Sequence, residues 1–111
     1  MRLAVTLVLL AAAGAAQDAR EWVNRGVAAF KNAQYPEAIA SFQKAVDLDP
    51  TFETARLYLA TAYMQIYVPG AEAPENLANA QRAEIEFRTI LAQDPGQKVA
   101  LASLASLYLN Q

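Results

Sequence analysis

Apolar side chains recur along the chain at steps of three and four residues, which is the spacing of one face of an α-helix. The first run of this kind consists of Trp22, Gly26, Ala29 and Phe30. The second consists of Ala38, Phe42, Ala45 and Val46. Asn32-Ala33-Gln34 interrupts the pattern between them, and Pro36 suits the first turn of a new helix. The pattern predicts two helices joined by a short turn, and Pro50 ends the second.

The same signals return twice further along the chain. The first helix is repeated by Leu59, Ala60 and Tyr63, and the second by Ala83, Phe87 and Ile90, which Asp94-Pro95 follows. A third round begins with Leu101, Leu104, Ala105 and Tyr108. Since one helix pair cannot bury its apolar stripe alone, successive pairs are expected to stack on each other. The sequence therefore predicts an all-α fold built from repeats.

At these residues the chain resembles the tetratricopeptide repeat, a helix–turn–helix unit of 34 residues. The residues of the first unit that stand at the family's spacing are Trp22, Gly26, Tyr35, Ala38, Phe42, Ala45 and Pro50. Two positions depart from the motif, because Arg25 stands where leucine is usual and Ala29 where tyrosine is usual. The resemblance implies antiparallel helix pairs stacked as a short right-handed superhelical solenoid, and a role in holding proteins or peptides.

The repeats predict a layout for the chain after residue 16. Repeat one covers about 19–52, repeat two about 53–97, and the first helix of a third repeat about 98–111. Each first helix has one small residue that allows the paired helix to approach closely: Gly26, Ala60 or Ala105. Residues at these repeated positions are expected to form the core rather than a site.

The second repeat contains an insertion of about eleven residues, at about 66–76. Val68-Pro69-Gly70 is expected to end the preceding helix, and Pro74 to begin the next. Such a loop on a rigid scaffold is either a binding feature or a tolerated surface insertion.

The last predicted helix is apolar on more than one side. Its large apolar residues are Leu101, Leu104, Leu107, Tyr108 and Leu109. Terminal repeats usually carry a polar outer face, so this helix is expected to be covered. Either the chain is part of a longer array of repeats, or another molecule covers the face, and self-association through this helix is one expectation.

The first sixteen residues have the three-part layout of a secretory signal peptide. Arg2 gives a positive start, Leu3 to Leu10 is nearly all apolar, and small residues lead to Ala16. The apolar run has about 14 residues, whereas a membrane-spanning helix needs about 20. We therefore expect cleavage after Ala16, with Ala15 as the neighbouring option, no stable membrane span afterwards, and an exported protein that is periplasmic or secreted. The alternatives are an uncleaved anchor and an ordinary helix with an apolar face.

Composition restricts the chemistry of the chain. Its 111 residues contain no histidine and no cysteine, so the usual general bases, thiol nucleophiles and zinc ligands are missing. The net charge of −2 and the absence of basic clusters argue against nucleic-acid binding. Glu84 and Glu86 lie two residues apart, so they do not face each other on a helix. The sequence predicts no enzyme, no cofactor and no metal site.

The resemblance implies that the first helices of successive units line a concave groove. Residues predicted to face it are Asn24, Val27, Phe30, Lys31, Leu57, Tyr58, Thr61, Met64 and Gln65. Some members of the family bind a terminal carboxylate with basic and amide side chains, but the corresponding positions here are Val23, Val27, Tyr58, Val99 and Ser103. We therefore expect a largely apolar groove that binds a protein or peptide. The alternatives are a purely structural part of a longer array, or an accessory domain of an enzyme whose active site lies elsewhere.

Overall fold

The computed structural model describes residues 2–110, with side chains from residue 14 onward. In this range the chain forms five α-helices and no strand: α1 (Arg2–Lys31), α2 (Tyr35–Leu48), α3 (Glu53–Ile66), α4 (Pro74–Gln93) and α5 (Lys98–Leu109). The predicted all-α class is confirmed, and the helices form a repeat solenoid. In the predicted signal segment, the side chains of residues 1–13 lie outside the described part of the chain, so cleavage stays a prediction. Among residues with described side chains, no helix is long and apolar enough to cross a bilayer.

Each helix packs against the next one along the chain. In addition, α3 contacts both α1 and α5. The core consists of two clusters, the first formed by α1, α2 and α3 and the second by α3, α4 and α5. The first contains Phe42 and the second Phe87, and both of these side chains are fully buried. Tyr63 packs against both clusters and so connects the two pairs. Burial raises the pKa of the Tyr63 hydroxyl above its ordinary value.

Gly26 sets the distance between α1 and α2. A Cβ atom at this position would overlap the ring of Phe42. The corresponding residue of α3, Ala60, is also fully buried and belongs to the same cluster as Phe87. The expectation of a close approach is met at Gly26, and Ala60 is buried at the corresponding place in the second pair. Ala105 of α5 is exposed, because no described helix packs over it.

The two helix pairs turn in different ways. Helix α1 ends in a Schellman motif, in which the N–H of Gln34 donates to the carbonyl of Ala29 and the N–H of Ala33 donates to that of Phe30. Ala33 has a left-handed backbone with φ of 58°. Residues 67–73 make the longer connection between α3 and α4, which begins at Pro74 as the sequence predicts.

Asn76 fixes this longer connection. Its side-chain oxygen accepts a hydrogen bond from the N–H of Val68 (2.8 Å), and its amide group donates to the carbonyls of Val68 (2.7 Å) and Ala71 (2.9 Å). Three hydrogen bonds from the first turns of α4 therefore hold the inserted segment against the helix. Gly70 supplies the positive φ of 85° that the segment needs.

Candidate functional site

The contact of α1 with α3, and of α3 with α5, places the first helices of successive units side by side. The second helices α2 and α4 alternate with them and supply most of the fully buried aromatic surface. The side formed by α1 and α3 contains a cavity of about 260 Å³, lined by Val27, Phe30, Lys31, Phe42, Tyr58 and Thr61. These six residues are called the groove pocket below.

Aromatic rings form the floor and one wall of the groove pocket. Phe42 reaches it from α2 and stacks on Tyr58 of α3, with ring centroids 5.3 Å apart and an interplanar angle of 23°. Phe30 meets the ring of Tyr35 edge-on at 5.2 Å. Tyr58 remains 41% exposed, so its ring offers a face to a ligand while the buried Phe42 holds it in place.

The polar groups at the pocket differ in their availability. The hydroxyl of Thr61 donates to the carbonyl of Leu57 within α3 at 2.8 Å, which leaves its methyl group available to line the cavity. Lys31 is exposed at the end of α1 and makes no ion pair with any residue that the structure describes. The pocket is therefore apolar inside, with a single positive charge among its lining residues.

Five of the nine residues predicted to line the groove meet in this pocket: Val27, Phe30, Lys31, Tyr58 and Thr61. Asn24 and Gln65 are exposed outside it. Leu57 and Met64 are half-buried against the second core cluster. Sequence reasoning assigned Phe42 to the core alone and so missed its part in the pocket floor.

One position considered for a carboxylate clamp does not face the groove. Val23 is only 6% exposed and belongs to the first core cluster. Val23 therefore lies in the core rather than at a clamp position, because the helix turns this side chain toward α2 and α3.

A family model for the tetratricopeptide repeat matches residues 19–52. That range comprises α1 from Ala19 onward, all of α2 and the turn that follows. Residues 19–52 therefore form a tetratricopeptide repeat. No curated protein matches it. The repeat suggests a scaffold for protein–protein interactions, and domains of this type are generally not catalytic.

Several carboxylates of the chain make structural contacts. Glu86 pairs with Arg56 at 2.6 Å, and both side chains are only 16% exposed. Glu75 pairs with Arg82 at 2.8 Å on the surface, and this contact raises the pKa of the Arg82 guanidinium. Asp49 accepts hydrogen bonds from the N–H and hydroxyl of Thr51, as expected for an aspartate at a turn.

Glu84 belongs to a polar cluster that joins α4 to α5. It accepts hydrogen bonds from the Tyr108 hydroxyl at 2.9 Å and from Arg88 at 3.0 Å, and Arg88 also donates to Tyr108. The Tyr108 hydrogen bond and then Arg88 lower the pKa of the Glu84 carboxyl. The cluster explains how α5 is positioned and leaves no unpaired carboxylate there. Among the described residues, no three potential metal ligands come together.

A second depression of about 510 Å³ lies between the inserted segment and α4. Its lining includes Tyr67, Glu72, Leu77, Gln81 and Glu84. It is larger than the groove pocket but more open to solvent, and its lining is about as polar as apolar. A tight ligand site needs enclosing apolar walls, so the groove pocket is the better candidate although it is smaller.

Proposed function

We propose that this protein is an exported tetratricopeptide-repeat scaffold that binds a protein or peptide through the groove pocket. The observation that carries the proposal is an apolar cavity of about 260 Å³ between the first helices of the two repeats. A cavity of this size has room for one large apolar side chain, and a partially exposed tyrosine borders it.

The partner's chemistry follows from the pocket. Its walls favour a leucine, phenylalanine or tryptophan side chain as the anchor. Lys31, the charged residue at the cavity, favours an acidic residue next to that anchor. The positions of a carboxylate clamp are occupied by residues such as Val27 and Tyr58, so the expected ligand is an internal segment rather than a chain terminus.

Filling the pocket tests the proposal. Thr61→Phe adds a ring to the cavity, whereas Gln65→Phe adds the same ring one turn further along α3, outside the cavity. We expect the parent protein and Q65F to capture the same polypeptides from the cell-envelope fraction, identified by mass spectrometry, and T61F to lose them. Capture that T61F retains in full, or the absence of any captured polypeptide, would contradict the groove as the binding site.

The charge preference has a separate test once a captured polypeptide is purified. Lys31→Glu should weaken binding by about tenfold at low salt and less at high salt, because a close charge pair becomes repulsive. The control is Lys98→Glu, which changes the same charge at the exposed start of α5. Equal effects of the two variants would argue against a specific role for Lys31.

Export is proposed from the first sixteen residues, and it is independent of the groove. The chain recovered from the periplasm or medium should begin at Gln17. Leu9→Arg interrupts the apolar run and should leave the full-length chain inside the cell. A chain that is exported with Met1 still present would contradict cleavage after Ala16.

A further inference from the structure

Each of the two aromatic walls of the groove pocket is supported by a ring from α2. Phe30 lines the pocket from α1 and meets Tyr35 edge-on, with ring centroids 5.2 Å apart and an interplanar angle of 72°. Tyr58 lines it from α3 and stacks on Phe42 at 5.3 Å. Both pairs have the spacing at which aromatic rings attract each other. The walls therefore belong to the first helices, whereas the second helix fixes the positions of their rings.

The turn between α1 and α2 brings Tyr35 to Phe30. The N–H of Gln34 donates to the carbonyl of Ala29, so the chain reverses its direction directly after the end of α1. Tyr35 then begins α2 and is half-buried. It is not one of the six residues that line the groove pocket. A change at Tyr35 is therefore expected to act on a ligand through the ring of Phe30.

Aromatic walls favour an aromatic side chain of the ligand over an aliphatic one. A ring placed against Phe30 and Tyr58 makes edge-to-face or offset-stacked contacts, which leucine cannot make, in addition to the apolar area that both side chains bury. That advantage requires wall rings that are already in position, because ordering a side chain on binding offsets part of the gain. Lys31 at the same cavity favours an acidic residue beside the anchor.

We propose that the groove pocket is a pre-formed slot for the ring of a phenylalanine or tryptophan that has an acidic neighbour, and that Tyr35 is the positioning residue that makes the slot select aromatic over aliphatic anchors. This inference rests on the proposed function, because it concerns the same pocket. It narrows the partner's anchor from any large apolar side chain to an aromatic one. It also gives a residue of the second helix, outside the cavity lining, a role in selecting the ligand.

Two blocked tripeptides, acetyl-Asp-Phe-Asp-amide and acetyl-Asp-Leu-Asp-amide, test the preference on the full-length chain. Each has an acidic residue on both sides of the anchor, so the direction of binding does not matter. The backbone amide NMR signal of Val27, which lines the cavity, reports the Kd, expected on the order of 1 mM. The phenylalanine tripeptide should bind about fivefold more tightly than the leucine tripeptide.

The outcomes of this titration separate the present inference from the proposed function. Equal affinities for the two tripeptides would overturn the aromatic preference and leave the groove pocket as the binding site. Binding of neither tripeptide, or unchanged binding by the T61F chain, would contradict the groove pocket itself and the inference with it.

Tyr35→Leu tests the positioning role, and Tyr35→Phe is its matched control, because it keeps the ring and removes only the hydroxyl. Y35F should keep the fivefold preference. Y35L should reduce it to less than about twofold, by weakening the phenylalanine tripeptide while the leucine tripeptide binds about as before. Loss of folded protein would weaken both tripeptides equally, so the ratio reports positioning. A Y35L chain with the full preference, or a Y35F chain without it, would overturn the role of Tyr35.

Tyr58→Leu removes the ring of the other wall and keeps the slot testable if Y35L does not fold. Tyr58 is 41% exposed, so this substitution should leave the fold intact. The Y58L chain should also prefer the phenylalanine tripeptide by less than about twofold. An undiminished preference in Y58L would overturn the proposal of an aromatic slot.

Discussion

The first helix pair, α1 with α2, and the second, α3 with α4, share one packing arrangement. A small residue of the first helix, Gly26 or Ala60, is buried with a fully buried phenylalanine of the second, Phe42 or Phe87. The two pairs differ in the size of side chain that fits at this position. The ring of Phe42 leaves no room for a Cβ atom at Gly26, whereas the second pair has room for the methyl group of Ala60.

One turn before the small residue, the two pairs differ in chemistry. Trp22 of the first pair has the cationic groups of Arg25 and Lys44 at 4.6 and 5.1 Å from its ring centre. At the corresponding place in the second pair, Arg56 bonds to Glu86. The same position thus holds either an aromatic ring with cations or an ion pair. This position of the repeat needs a long side chain that covers the adjacent helix, and the side chain is either aromatic or charged.

The largest expected loss of stability comes from a substitution that tests which side chains fit at Gly26. Gly26→Ala should destabilise the fold by about 2 kcal/mol, although alanine is the better helix former, because the new methyl group overlaps the buried Phe42 ring. Urea unfolding followed by circular dichroism measures the change. Gly96→Ala is the control, with no atom within 4 Å of the added methyl group, and should stay within about 0.5 kcal/mol of the parent. A G26A protein as stable as the parent would show that the first pair does not depend on this close approach.

Breaking the Arg56–Glu86 ion pair between α3 and α4 should cause the next largest loss of stability. Arg56→Ala leaves the mostly buried Glu86 carboxylate without its partner and removes the hydrogen bond from Arg56 to the carbonyl of Pro50 (3.0 Å). We expect a loss of about 1–2 kcal/mol in the same unfolding assay. Glu75→Ala, which breaks the exposed pair with Arg82, is the matched control and should cost less than about 0.5 kcal/mol. Similar losses in both variants would mean that burial adds nothing to the Arg56–Glu86 pair.

The inserted segment is where the second pair departs most from the first. Asn76→Ala removes three hydrogen bonds to the backbone at Val68 and Ala71. The expected loss is about 1 kcal/mol, because the contacts are partly exposed and water replaces some of them. Amide hydrogen exchange should accelerate in residues 67–73 and remain unchanged in residues 35–48. Exchange that rises equally in both segments would indicate general destabilisation rather than release of the loop.

Much of this arrangement could be predicted from residue spacing. The recurrence of small and aromatic residues predicted the helix pairs, and Pro74 predicted the start of α4, because both depend on local geometry. The full lining of the groove pocket could not be predicted in this way. Phe42 reaches it from a second helix, and Val23 turns into the core, because the rotation of each helix is set by its contacts with neighbours rather than by its own sequence.

A substitution in the turn of the first pair should change the free energy of unfolding least, and it should stabilise the protein rather than destabilise it. Ala33 occupies a left-handed position with φ of 58°, where glycine is usual in a Schellman motif. Ala33→Gly relieves the steric cost of this conformation, and the greater freedom of glycine in the unfolded chain offsets part of the gain. We expect a net stabilisation of about 0.5 kcal/mol by urea unfolding. Ala40→Gly, in the middle of α2, should instead destabilise by about 1 kcal/mol. If A33G were also destabilising, contacts of the Ala33 methyl group would stabilise the first turn. The turn of the first pair would then depend on side-chain packing, whereas hydrogen bonds hold the loop of the second pair.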